Sequence, residues 1–126
     1  MNDPGRPVVL DSSAVLAWLQ REPGGTVVNP FVVQGASISA ANWSEILQKA
    51  MRGGRPIEMV DRMLRPLIDV QPVIEQDATA AARLWRDHPS MSLADRLCLA
   101  LAHRLSAQAV TADKAWRGIS GVLIIR

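Results

Sequence analysis

The sequence predicts an α/β fold in one domain, residues 1–126: a central, mostly parallel sheet flanked by helices. Three observations predict it. Short apolar runs alternate with helical stretches along the whole chain. A length of 126 residues is that of one domain. With 48% hydrophobic residues, the chain can bury a core without disulfides or structural zinc.

The turn residues Pro4, Gly5 and Pro7 lead into Val8-Val9-Leu10, an apolar run that reads as a buried strand. Ser12 and Ser13 are good helix starters, and a helix from Ala14 to Gln20 stops at Pro23-Gly24-Gly25. A second helix is expected over about Val27 to Gln34, then a short strand over Ala36 to Ser39. Ala40 to Met51 is helical and breaks at Gly53-Gly54. The next helix starts at Pro56, where proline is tolerated in the first turn, and runs towards Leu67. Its apolar residues Ile57, Val60, Leu64 and Leu67 recur at helical spacing. Asp69 to Val73 reads as a strand, Glu75 to Asp87 as a helix closed by Pro89, and Ser92 to Leu105 as another helix. Ala109-Val110-Thr111 and Val122 to Ile125 complete the set as apolar strands.

Composition excludes several classes. A single cysteine, Cys98, allows no internal disulfide and suits a reducing compartment. Met1 to Pro7 is polar, without the apolar stretch of a secretory signal, and no run is long enough to cross a bilayer. A cytoplasmic protein with no membrane partner is expected. The net charge of +2 does not by itself announce a nucleic-acid binder. All basic residues except Lys49 and Lys114 are arginines, whose planar fork suits phosphate but also reflects genome composition.

In parallel α/β sheets ligands sit beyond the carboxyl ends of the strands. Asp11 directly follows the first strand and Asp113 the strand ending at Thr111, while Glu45 and Asp95 lie in the first turns of two helices. Taken singly each has a plain explanation. Asp11 or Asp113 can cap a helix, Ser92 and Asp95 have capping-box spacing, and Glu45 can pair with Lys49 four residues on. Asp95 fits that explanation least. It shares a stripe with Cys98, Leu99 and Ala102 on a helix rich in Leu and Ala, and Arg96 points elsewhere. A carboxylate there wants a partner or a metal.

Four stretches taken together resemble the PIN-domain nucleases, and among them the VapC toxins of bacterial toxin–antitoxin pairs. They are Val9-Leu10-Asp11-Ser12-Ser13-Ala14, Asn42-Trp43-Ser44-Glu45-Ile46, Ser92-Leu93-Ala94-Asp95-Arg96 and Thr111-Ala112-Asp113-Lys114-Ala115-Trp116. They occur in the family's order and span nearly the whole chain. The resemblance implies a PIN-like fold and a metal-dependent endoribonuclease whose acidic quartet is Asp11, Glu45, Asp95 and Asp113. Asp11 and Asp95 would be the principal ligands of Mg²⁺ or Mn²⁺, with Glu45 and Asp113 completing the site through waters or a second ion. Ser12 or Ser13 and Thr111 match the family's supporting hydroxyls, although capping explains the serines equally well. Trp116 matches an aromatic position that packs. Products with 5′-phosphate and 3′-hydroxyl ends are implied.

Clustered carboxylates raise one another's pKa unless a cation intervenes, and hard oxygen donors favour Mg²⁺ or Mn²⁺ over zinc. Cations must flank such a crevice if RNA is to approach. Lys49, Arg52 and Arg55 around the Gly53-Gly54 break are candidates, with Arg96 and Lys114 beside two of the acids. His88 and His103 lack metal or nucleophile spacing, and Cys98 reads as a core residue. Trp18 and Trp43 are core or interface, and Met51, Met59 and Met63 read as gap-fillers, although helices of this region form the dimer face and antitoxin groove in VapC-like proteins. A VapB-like antitoxin, an RNA substrate and a homodimer are the implied partners. A Rossmann-type nucleotide binder is disfavoured, because Asp11-Ser12-Ser13 stands where a glycine-rich loop is needed. A PIN nuclease of RNA processing or decay and a non-catalytic PIN-fold interaction module are the other readings. The short chain without an appended module favours the toxin.

Overall fold

The computed structural model of the chain describes residues 5–126, so the start and the turn residue Pro4 lie outside them. Five strands form one sheet: β1 (Val8–Leu10), β2 (Ser37–Ser39), β3 (Asp69–Gln71), β4 (Gln108–Thr111) and β5 (Val122–Ile124). Their order is β3-β2-β1-β4-β5, and every neighbouring pair is parallel. The chain steps outward from β1 through β2 to β3, then returns to place β4 on the other side of β1. The strand order therefore reverses between β1 and β4, where sheets of this kind bind ligands.

A parallel sheet must be covered on both faces, so its strands are apolar on both sides. In β1, Val8 and Leu10 enter one core with Ile38 and Val110, and Val9 enters the other with Ala109. The first core lies under α1 (Ser12–Leu19), α2 (Asn29–Gln34), α3 (Ala40–Arg52) and α4 (Ile57–Leu64). The second lies under α6 (Leu93–Arg104), whose residues Leu97 to Ala102 are all buried, with Trp116 beside them. α5 (Glu75–Asp87) packs on α6, and buried Asp77 accepts Nε of Arg104 at 2.8 Å across that contact.

Several local expectations need correcting. The stretch from Val27 to Gln34 is not one helix. A 3₁₀ turn covers Gly25–Val28, and α2 starts at Asn29 with Pro30 in its first turn, where the missing N–H costs nothing. Pro56 caps α4 from an extended conformation, and α4 ends at Leu64, three residues early. The strand expected over Asp69 to Val73 is only Asp69–Gln71, because Pro72 has no amide to extend the ladder. Met51, Met59 and Met63 do not fill gaps in the core: each is about half exposed. The buried stripe of α4 is Val60 and Leu64, and the two methionines of that helix lie beside it. Trp43 and Trp116 are core residues, whereas Trp18 is half-buried and its Nε1 donates to Oδ1 of Asn29 at 2.6 Å. No helix among the described residues is long and apolar enough to cross a membrane.

Candidate active site

β1 and β4 end side by side at the point of strand reversal, and each hands the chain to an acid. The amide of Asp11 still donates to the carbonyl of Val110 at 3.0 Å, so Asp11 is fixed at the sheet edge. Its side chain then caps α1, with Oδ1 accepting from the Ala14 amide at 2.8 Å. The capping explanation for Asp11 is thus correct, and it does not exhaust what the residue does.

Two hydroxyls hold the rest of that carboxylate. Thr111 Oγ1 donates to Oδ2 at 2.6 Å, and Ser13 Oγ lies 2.8 and 2.9 Å from the two carboxylate oxygens. Both hydroxyls are held in turn by backbone. Ser13 Oγ accepts from the Ala112 amide and Thr111 Oγ1 from the Asp113 amide. The serines are therefore not caps: Asp11 caps α1, and the serine hydroxyls reach acids instead. Ser12 Oγ donates to Oε1 of Glu45 at 2.8 Å.

Glu45 projects from the second turn of α3, which begins directly after β2 because Ser39 caps it by accepting the Ala41 amide. The expectation that Glu45 pairs with Lys49 is not met. Its Oε1 accepts from Ser12 and from Nδ2 of Asn42 at 2.9 Å, one helical turn back. Asn42 is fully buried and was not singled out in the sequence. Its i, i+3 spacing to Glu45 was the available signal. Asp95 enters from α6, where Ser92 Oγ accepts the Asp95 amide at 3.1 Å. Its carboxylate is half-buried and makes no ion pair among the described residues. Arg96 turns away and donates to the carbonyls of Ala81 and Met91, so it ties α6 to its neighbours rather than facing the crevice as a free cation. Asp113 is exposed and caps the 3₁₀ turn Lys114–Trp116 with one oxygen, Oδ1 accepting from the Ala115 amide.

The electrostatics link the four acids. Burial raises the Asp11 carboxyl from 3.8 to about 6 against the lowering effect of Thr111, Ala14 and Ser13, and the Asp95 charge adds to the rise. Burial also raises Asp95, and the charges of Glu45 and Asp113 push it further. Cys98 lies fully buried beneath them. Burial, then the fields of Asp11, Asp95 and Glu45, push its thiol well above the ordinary range, so it stays protonated and offers no metal a thiolate.

The crevice offers carboxylate and hydroxyl oxygens, the donor chemistry of a hard cation. Among the described residues no three His, Cys, Asp or Glu groups form a ready-made metal cage. Mg²⁺ does not require one, since it keeps several waters and binds through one or two carboxylates. Of the basic candidates, Lys49, Arg52, Arg55 and Lys114 are exposed and make no ion pair among the described residues. Lys49 stands one turn beyond Glu45 on α3, and Lys114 follows Asp113 in sequence.

Comparison with known proteins agrees with this geometry. The family description "PIN domain" matches residues 8–122. No curated protein matches by sequence. Among solved structures, a toxin–antitoxin complex from Klebsiella pneumoniae matches at 18% identity and a TM-score of 0.78, covering 94% of this chain and 98% of that one. VapC20 of Mycobacterium tuberculosis, described as a sarcin–ricin loop cleaving toxin, matches at 13% identity and 0.73, covering 94% and 99%. A DNA-bound VapBC from Salmonella typhimurium matches at 17% and 0.71, covering 94% and 96%. At these identities the likeness is one of fold.

Proposed function

The chain belongs to the PIN domain family, and on that premise we propose that it is a Mg²⁺- or Mn²⁺-dependent endoribonuclease, acting in the cytoplasm as the toxin of a VapBC-type pair. The observation that carries the proposal is the hydrogen-bonded cluster at the strand reversal, where Thr111 and Ser13 hold Asp11, Ser12 holds Glu45, and Asp95 lies within the fields of Glu45 and Asp113. Without a cation, this set keeps two carboxylates at raised pKa, a cost that a divalent ion relieves. A buried Asp11 and a half-buried Asp95, each raised by burial and then by a further acid, make poor sense for structure alone.

Asp11 and Asp95 would hold the ion directly. When bound, the ion lowers the pKa of a water and neutralises charge on the phosphate and the leaving oxygen. The chain supplies orientation. Thr111, Ser13 and the Ala14 amide fix Asp11, while Ser12 and Asn42 fix Oε1 of Glu45. Oε2 of Glu45 and Oδ2 of Asp113 have no hydrogen bond among the described residues and would be available to hold water beside a bound ion. Lys49, Arg52, Arg55 and Lys114 steer the RNA backbone towards an otherwise repulsive crevice.

Two relatives in toxin–antitoxin or VapBC complexes and one RNA-loop-cleaving toxin support the partner and the substrate. So does the exposed methionine face of α3 and α4, since flexible thioethers on a surface suit a protein partner. A VapB-like antitoxin and a second copy of the chain are the partners proposed for the molecule. Induced expression in a bacterial host tests the toxin role: wild type arrests growth and Asp95→Asn does not. Equal growth with both would refute it.

A further inference from the structure

A pocket of about 310 Å³ opens directly beside Asp95 and Asp113, on the side formed by the turn after α5 and the turn after Trp116. Its other principal walls are Asp87, His88, Met91 and Arg117. The volume is at the lower end for small-ligand sites and leaves room for one nucleobase with its ribose. Asp87 and Ile119 also line the neighbouring cleft along α5, so a strand entering the pocket has a way onward.

Asp87 is a free acceptor of this pocket. It is the last residue of α5, where the helix dipole disfavours negative charge, and its carboxylate makes no ion pair or hydrogen bond among the described residues. It also stands at a pocket that already contains two acids. Arg86 is the basic residue of the last turn of α5, and Asp87, exposed at the pocket wall, keeps its carboxylate oxygens available to accept from a ligand in the pocket. In the nuclease reading Asp95 and Asp113 serve the cation and the scissile phosphate, which leaves the far wall at Asp87 and His88 for a neighbouring, uncharged part of the nucleic acid. A neutral heterocycle with amino donors suits the walls: carboxylates accept from exocyclic amines, His88 offers a ring face, and Met91 an adaptable apolar wall. Uracil suits them less, since its single N–H lies between two carbonyl oxygens that face the carboxylates unfavourably.

We propose that this pocket binds the base of a nucleotide flanking the scissile phosphate, that Asp87 reads its amino edge, and that adenine, cytosine or guanine is accepted over uracil. This rests on the nuclease reading of the adjacent acids and assigns a specificity role to Asp87 and His88 that the reaction itself does not require.

The test measures binding of short oligouridine to the full chain in chelator and low salt, with and without one internal adenosine or cytidine. Wild type should bind the substituted oligonucleotides roughly tenfold tighter, as expected for one good base contact, and Asp87→Ala should lose that difference. Asp87 is exposed and supports nothing else in the fold, so Asp87→Ala should melt within a degree or two of wild type, and His88→Ala serves as a second variant. Equal binding of all sequences by wild type, no binding at all, or a preference that survives Asp87→Ala overturns the proposal. Cleavage is read separately in Mg²⁺. A base preference in binding without any cleavage would support the pocket while refuting the nuclease.

Discussion

Thr111 donates its hydroxyl to Oδ2 of Asp11 at 2.6 Å, joining two residues 100 positions apart at adjacent strand ends. The bond favours the charged carboxylate against burial, which pushes the other way. Thr111→Val removes this donor and also the acceptor for the Asp113 amide. The Asp11 pKa of the metal-free chain should rise above about 6, so protons should compete with the cation up to higher pH and move the acid limb of RNA cleavage upward at subsaturating metal. Folding stability at neutral pH should fall by about 1–3 kcal/mol. An acid limb that stays in place would separate Thr111 from the chemistry.

The raised Asp11 carboxyl also sets a pH dependence for the metal-free fold. Between about pH 4 and 6 the unfolded chain releases this proton before the folded one does. Stability therefore falls as pH rises through that window, by about 3 kcal/mol, and stays reduced above it. Asp11→Asn cannot ionise. In urea melts without metal it should exceed wild type by about 1–3 kcal/mol at pH 7.5, with the gain largely gone at pH 4. Adding Mn²⁺ at pH 7.5 should stabilise wild type and leave Asp11→Asn unmoved. Equal Mn²⁺ stabilisation of both would place the ion elsewhere.

Asn42 acts on Glu45 and touches no reacting atom in this reading. Its Nδ2 holds Oε1 of Glu45, while its own Oδ1 is buried without a hydrogen-bond partner. Removing the amide costs one hydrogen bond and also removes an unsatisfied acceptor, so Asn42→Ala should change stability by only about 1 kcal/mol. It frees Glu45 to turn, and kcat should drop roughly tenfold while KM changes little. A loss confined to KM, or an unfolded variant, would make Asn42 a binding or folding residue instead.

Away from the crevice, the Arg104 guanidinium beside Asp77 holds that carboxyl below its ordinary value of 3.8. The pair's contribution is complete above pH 3.8 and is lost as pH falls through the lowered value. Arg104→Ala leaves the buried Asp77 carboxylate unpaired and should cost about 2–4 kcal/mol at pH 7. The deficit should shrink markedly at pH 3. Parallel melts of the variant and wild type at the two pH values check this, and RNA cleavage should be unaffected below the melting temperature.

The places of Asp11 and Asp113 at the sheet edge were legible because the carboxyl-end rule needs only the strand that precedes each acid. The half-buried, unpaired state of Asp95 was legible because it shares an apolar helical stripe with no cation in reach. Asn42, Asp87 and the pocket were not legible, since each gains its meaning from a neighbour distant in the chain. The methionines show the same limit. Val60 and Leu64 form one apolar stripe of α4, and Met59 and Met63 form a second beside it. Periodicity marks both and does not say which of them this chain itself covers. The serines misled in another way. Ser12 and Ser13 are good cap residues by type, but Asp11 took the cap and released their hydroxyls to orient the acids.

The most direct test is to incubate the purified chain, free of antitoxin, with total bacterial RNA in Mg²⁺ or Mn²⁺ and map the new 5′ ends. Chelator and Asp95→Asn are the controls. Asp95→Asn is the appropriate variant, because Ser92 caps α6 through the Asp95 amide, which the substitution leaves in place. Discrete cuts carrying 5′-phosphates, abolished by chelator and by Asp95→Asn, are the predicted result and would also name the target. Cuts that persist in Asp95→Asn, or no cuts by a protein that also fails to bind Mn²⁺, would contradict the four-acid metal nuclease.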